Sequence, residues 1–190
     1  MDIVKRIKGL ILSPKDEWDV IAKERIGVGA LYREYIVYLA LIPPFASFLS
    51  GYFFGYSHGA MADVHLTLAG GLARATLQYL LGLPLLYLVA FVLSSIAPHF
   101  EGESDDARAL ALAAYSYTPV WLAALFGLAP GLRWLDILGF YGVYVFYFGL
   151  PRMLKCPKDN ADVFTLAALI LTIAVAGVHA WIMRLATPIF

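Results

Sequence analysis

Long runs with almost no charge constrain this chain more than anything else in it. Asp, Glu, Lys and Arg are confined largely to the first 34 residues and to a few short loops. Overall the chain is 61% hydrophobic and 15% charged, where a soluble domain carries about 45–50% and about 25%. A bilayer core about 30 Å thick asks for roughly 20 apolar residues per helix. In lipid, only structures that satisfy their own backbone groups can span. The sequence therefore predicts an all-α, polytopic membrane protein. Its five transmembrane helices lie at about 35–54, 75–97, 107–128, 134–150 and 163–183, preceded by two short amphipathic surface helices. It divides into a 1–34 surface region and a 35–190 membrane domain. The net charge of zero gives no electrostatic case for nucleic acid. A single cysteine, Cys156, excludes an intrachain disulfide and a Cys-rich metal cluster.

In the first turns Ile3, Val4, Ile7, Leu10 and Ile11 share one side of a helical wheel, with Lys5, Arg6 and Lys8 opposite. That pattern is expected to lie in the headgroup plane or to pack on the protein's own spans. Ser13-Pro14-Lys15-Asp16 reads as the start of a second helix, with Ser as N-cap and Pro at the first position. Its apolar side carries Trp18, which is expected at the membrane interface.

Within the spans, small and polar residues are the informative ones. Pro43-Pro44 must distort span one, and the freed carbonyls should be buried in protein. Ser47, Gly51, Gly55 and Gly59 follow at intervals of four and predict a close helix neighbour. Span three carries Ala109, Ala113, Ser116, Ala123 and Gly127 in one sector, and Arg108, Tyr115 and Leu122 in another. Thr118-Pro119 marks a candidate break there. Span four sets Gly139, Gly142 and Gly149 on one side, with Tyr141, Tyr144, Phe148 and Arg152 on another. Spans three and four are joined by only a few residues and should form a tight antiparallel hairpin. On span five, Thr165, Thr172 and His179 recur every seventh residue, as interhelical hydrogen-bonding groups or as a polar path. Asp136 and Arg108 lie near span ends.

The loops offer little chemistry. His58, Asp63 and His65 are weak metal candidates, because a transition metal needs three or four converging ligands in a defined motif. A solvated loop is the better reading. Asp105 and Asp106 suit the N-terminus of span three as caps. No cofactor is expected. Of the fourteen Lys and Arg, all but Arg74, Arg133 and Arg184 fall on the N-terminal side of a five-span layout. The positive-inside rule then puts the N-terminus in the cytoplasm and the C-terminus outside.

These elements also occur in a recognisable order. A surface helix with Pro14 and Trp18 precedes span one, and Tyr115 to Pro119 lies in span three. Tyr141-Gly142-Val143-Tyr144 and Gly149-Leu150-Pro151 lie in span four, with Cys156-Pro157 beyond. Together they resemble the prokaryotic branch of the Yip family, named for eukaryotic members that interact with Ypt/Rab GTPases. The resemblance covers nearly the whole chain. It implies five spans, a cytoplasmic N-terminus and a place in the prokaryotic plasma membrane. Eukaryotic relatives act as non-enzymatic membrane factors in vesicle traffic and carry a longer N-terminal region, so GTPase binding is not carried over.

These residues are compatible with three functions. The first is a non-catalytic membrane protein that works by helix–helix association, as an adaptor, an assembly factor or a lipid-organising subunit, with a membrane partner or a second copy. The second is a small-solute or ion transporter working as an oligomer, supported by Pro43-Pro44, Ser116, Thr118, Thr172 and His179. The third, an intramembrane enzyme, would rest on a Ser116/His179 coincidence with no orienting group or oxyanion motif. The first reading is preferred.

Overall fold

The computed structural model describes residues 2–25, 27–55 and 65–186. His58, Gly59 and Asp63 lie outside the described residues. Two short helices, α1 (Ile3–Leu12) and α2 (Pro14–Ile21), precede five helices long and apolar enough to cross a membrane. These run Val28–Phe53, Leu68–Phe100, Asp106–Leu128, Pro130–Met153 and Lys158–Ala186, called here the first to fifth spans. The described residues contain no strand.

The third span is the central post. Two-thirds (67%) of its most apolar stretch is buried inside the protein, and Ala109 to Ala114 are almost wholly covered. A run of alanine and leucine makes this possible. Ala has the best intrinsic helix propensity, and its small side chain lets neighbours approach. Asp105 starts the helix by accepting a 2.9 Å hydrogen bond from the Arg108 backbone N–H. The first, second and fourth spans all pack on this post. The helix runs on through Thr118-Pro119 to Ala123 before tightening into a 3-10 turn. The break expected at the proline does not occur, because the helix around it is held on several sides at once.

The fourth span departs from a plain α-helix. Pro130–Phe140 is a 3-10 helix, followed by α-helix over Tyr141–Met153. A 3-10 run this long is unusual, since its hydrogen-bond geometry is poorer. The fifth span is different again: it packs on the second and fourth, and only 11% of its most apolar stretch is buried.

The first span is interrupted near its middle. It passes through a π-helical turn at Tyr32–Ile36 and a break at Ala40-Leu41, then resumes over Ile42–Phe53 with both prolines in its first turn. Pro44 is buried against protein. The disturbed backbone is met by the Tyr79 hydroxyl, which donates to the Val37 carbonyl at 3.1 Å. Tyr32 returns the contact by donating to Leu83 O at 2.8 Å, next to Pro84 of the second span. These two hydrogen bonds tie the interrupted first span to the second.

The N-terminal helices pack on the protein's own spans, one of the two readings the sequence allows, but α1 does so along a face shifted from the one on the helical wheel. Residues Ile3, Arg6, Ile7 and Leu10 form the inward side of α1, with Arg6 and Leu10 fully packed. Val4 points outward. Trp18, expected at the interface, is 0% exposed. Its indole N–H donates to Val145 O of the fourth span at 2.9 Å. The correction has a simple cause: Gly149 leaves a flat spot on the fourth span where the indole rests, and a Cβ there would come within 2.5 Å of Trp18.

Candidate functional site

Two regions flank the third span, one at the level of α1 and α2 and one within the spans. The first is built on a buried cation. Arg6 is 6% exposed and its guanidinium bonds Glu17 Oε1 and Glu24 Oε1. It also lies 5.5 Å above the Tyr115 ring centroid. Burial disfavours the charge, but the Glu24 hydrogen bond and the charges of Tyr115, Glu24 and Glu17 prevail and hold the arginine above its ordinary pKa. Tyr115 in turn meets Trp18 and Tyr35 edge-on, at 5.9 Å and 4.9 Å between centroids. Thr118 donates to Ala114 O, so the 2.6 Å bond between Tyr35 and Thr118 has the tyrosine as donor. A polar hollow of about 570 Å³ lies here, edged by Lys5, Arg6, Glu17, Glu24, Arg25 and Glu34.

The stripe Tyr141, Phe148 and Arg152 on the fourth span serves the same region. The Tyr141 hydroxyl donates to Ile11 O at 3.0 Å, capping the end of α1. Lys15 lies 4.5 Å over the Phe148 ring, and Arg152 pairs with both carboxylate oxygens of Asp19. Arg6, Glu17, Glu24 and Tyr35 were not among the predicted site residues. A signal was present: Arg6 lies three and four residues from Ile3 and Leu10, on the same face as the apolar residues it packs with.

The second region is a cavity of about 280 Å³ inside the spans. It opens where the fifth span faces the third without filling the gap. The second span contributes Val89 and Leu93, and the third Ala113, Ser116, Tyr117 and Val120. The fourth adds Asp136, Gly139, Phe140, Gly142, Val143 and Phe146, and the fifth adds Thr165, Ala168 and Thr172 among others. The glycines set its width. A Cβ on Gly142 would lie 2.4 Å from the Ser116 carbonyl oxygen, and one on Gly139 3.3 Å from Val120 Cα. Backbone therefore touches backbone along the third–fourth hairpin. Tyr117 and Thr172 line it from the third and fifth spans. Ser116 Oγ and Thr165 Oγ1 are buried and have no hydrogen-bond partner.

The remaining candidates are scattered. Ser47 bonds Pro44 O and Gln78 at 3.1 Å each, and Gly51 is buried while its carbonyl accepts from the Leu66 N–H. Gly55 lies past the end of its helix at φ 72°, in the left-handed region that glycine tolerates. Arg108 pairs with Asp105 at 3.5 Å. His179 is half-buried, with Nε2 unbonded, and does not line the cavity with Ser116. Of the three metal candidates, His65 alone is described, and its ring contacts Tyr52 O at 3.3 Å. Among the described residues no group of three or more potential ligands converges. Cys156 is buried, its thiol directed to Phe100 O at 3.3 Å, and burial raises its pKa.

The comparisons with known proteins agree with this layout. The chain is 27% identical over 180 residues to the inner membrane protein YohC of Escherichia coli strain K12, covering 92% of each. The same values hold for YohC of Escherichia coli O6:H1. No solved structure matches. The model of the Yip1 domain matches residues 8–179, from the middle of α1 to near the end of the fifth span. With five apolar helices, the third of them an alanine-rich post, this multi-pass membrane protein belongs to the Yip1 domain family.

Proposed function

We propose that the protein is a non-catalytic component of an inner membrane that works by association within the bilayer, as an adaptor, an assembly factor or a lipid-organising subunit. Its N-terminus is cytoplasmic and its C-terminus lies on the other side. The observation that supports this reading is the contrast between spans. The fifth is only 11% buried where the third is 67% buried. Its outward face carries Ile170, Ile173, Ala174, Gly177 and Trp181 at helical spacing. A Cβ on Gly177 would meet nothing within 4 Å. In lipid, association comes from close packing rather than from hydrophobic drive, and small residues favour it. YohC, named as an inner membrane protein, and the placement of most basic residues on the N-terminal side support the location and orientation.

The test is crosslinking in native membranes from Gly177→Cys, with Cys156 buried and slow to react. One discrete crosslinked species, either a dimer or one partner, is expected. A monomer with nothing attached, in membranes and after mild extraction, overturns the reading. Labelling of cysteines placed at the two chain ends should find them on opposite sides, and a shared side would remove the orientation.

The cavity favours a second reading, a small-solute carrier working as an oligomer. Disrupted helices and intramembrane polar groups mark such sites, and Ser116, Thr165 and Thr172 all line it. Flux into vesicles containing pure protein, lost in Ser116→Ala, would establish that alternative.

A further inference from the structure

We propose that the intramembrane cavity holds the ring of a prenylated 1,4-quinone, with Ser116 and Thr165 donating hydrogen bonds to its carbonyl oxygens. This goes beyond association and stands independently of it. The starting point is the pair of hydroxyls. Ser116 is 6% exposed and Thr165 is 9% exposed, both line the cavity, and neither has a partner. A buried hydroxyl left unpaired costs about 1–3 kcal/mol, so an acceptor entering this space gains twice.

Depth selects the class of ligand. Ser116 lies midway along Asp106–Leu128, a helix of 23 residues. At a rise of about 1.5 Å per residue it is roughly 15 Å from the Asp106 end and about 18–20 Å from the Leu128 end, deep within a core about 30 Å thick. The ester carbonyls of a glycerolipid belong to the interfacial region and do not reach it. A quinone ring, being neutral, is at home in the hydrocarbon. The walls suit a flat ring. Phe146 and Phe140 are aromatic, the other wall residues are largely apolar, and offset or edge contacts between rings are favourable. The volume of about 280 Å³ lies just below the roughly 300–1,000 Å³ of drug-sized sites, enough for a ring and not for two acyl chains. Phe140 and Ile173 line the cavity yet are 66% and 61% exposed. The mouth is therefore between the fourth and fifth spans, where a prenyl tail can pass into lipid. Only binding is proposed, with no electron transfer.

The experiment uses the full chain in detergent micelles and a 2-methyl-1,4-naphthoquinone bearing a short prenyl tail. Equilibrium partition is compared with empty micelles. Saturable binding of one molecule per chain is expected. Ser116→Ala and Thr165→Val should each weaken it about fivefold, and Val143→Trp, which fills the cavity, should abolish it. Infrared spectra of the carbonyl-labelled probe should show a band lowered by hydrogen bonding in the wild type and restored in the double variant. That reading needs no mutant to fold if the wild-type band is compared with empty micelles. Partition equal to empty micelles, an unshifted band, or unchanged affinity in the double variant each overturns the proposal. Displacement of the quinone by diacylglycerol at equal or lower concentration also overturns it and makes the occupant a glycerolipid.

Discussion

Tyr115 and Ser116 are neighbours in the chain and belong to two regions made in opposite ways. On the side of Tyr115, most polar groups are paired with polar groups, Arg6 Nε being an exception. Arg6 has Glu17 and Glu24, Trp18 has a carbonyl, and Tyr35 has Thr118. On the side of Ser116, an apolar cavity contains hydroxyls of which two have no partner. The first arrangement fixes α1 and α2 to the spans. The second leaves donors facing unfilled space. The difference teaches where this protein holds its structure and where it has room for something else.

The largest effect should come from closing the gap between those regions. Gly142 faces the Ser116 carbonyl so closely that any side chain must force the backbones apart. Overpacking costs about 1–3 kcal/mol and sometimes more. Gly142→Leu should reach at least the top of that range and lower the thermal midpoint by on the order of 10 °C for a chain of this size. An unchanged midpoint in the same detergent would mean that the third and fourth spans are not in backbone contact.

Next comes the paired side. Replacing Arg6 with Met leaves Glu17 partly buried beside an apolar residue. Removing one partner of a fully buried pair costs about 3–5 kcal/mol. Because Glu24 is 39% exposed on its side chain, about 2 kcal/mol is the fitting expectation. Unfolding of Arg6→Met and of the Glu17→Gln double variant should show that the second change recovers part of the loss. Simple additivity of the two would mean that the pair is not energetically coupled.

A smaller effect concerns the exposed tie between Asp19 and Arg152. The hydrogen bond from Arg152 is the main cause that lowers the Asp19 pKa, with the charges of Arg152 and Lys23 adding to it and slight burial opposing. A lowered folded-state pKa means that the contribution is complete above the unfolded value of about 3.9 and disappears as pH falls through the folded one. The difference in thermal midpoint between wild type and Asp19→Asn should stay level from neutral pH to about 5 and shrink below about 4. A difference that grows on acidification would reverse the sign and refute the assignment.

Much of this contrast was readable in the sequence, and the unread part has a physical reason. The spans follow from charge-free length, and the glycine side of the fourth span follows from spacing. What the wheel could not show is which neighbour each glycine meets. Gly139 and Gly142 approach the third span, while Gly149 receives Trp18 of α2 and Leu112. The sequence placed Arg6 with the solvent-facing charges, because hydropathy ranks an arginine as outward. Burial became possible only through Glu17 and Glu24, which lie 11 and 18 residues away in sequence. The cavity was equally hidden. Ser116, Asp136, Gly142 and Thr172 were singled out separately, but their meeting depends on the fifth span leaning on the second and fourth.

The smallest expected effect separates the two regions most sharply. A polar group that makes no bond in the folded protein loses none when it is removed. Ser116→Ala should therefore change stability by less than about 0.5 kcal/mol, or raise it slightly, because an unpaired buried hydroxyl is itself a cost. The same deletion of a hydroxyl on the other side, Tyr35→Phe, strips Thr118 of its donor and should cost about 1 kcal/mol. Urea or thermal unfolding of the two variants side by side compares like with like, since each loses one buried hydroxyl oxygen. If Ser116→Ala proves the more damaging of the two, its hydroxyl is already satisfied in the folded protein and the contrast between the two sides is lost.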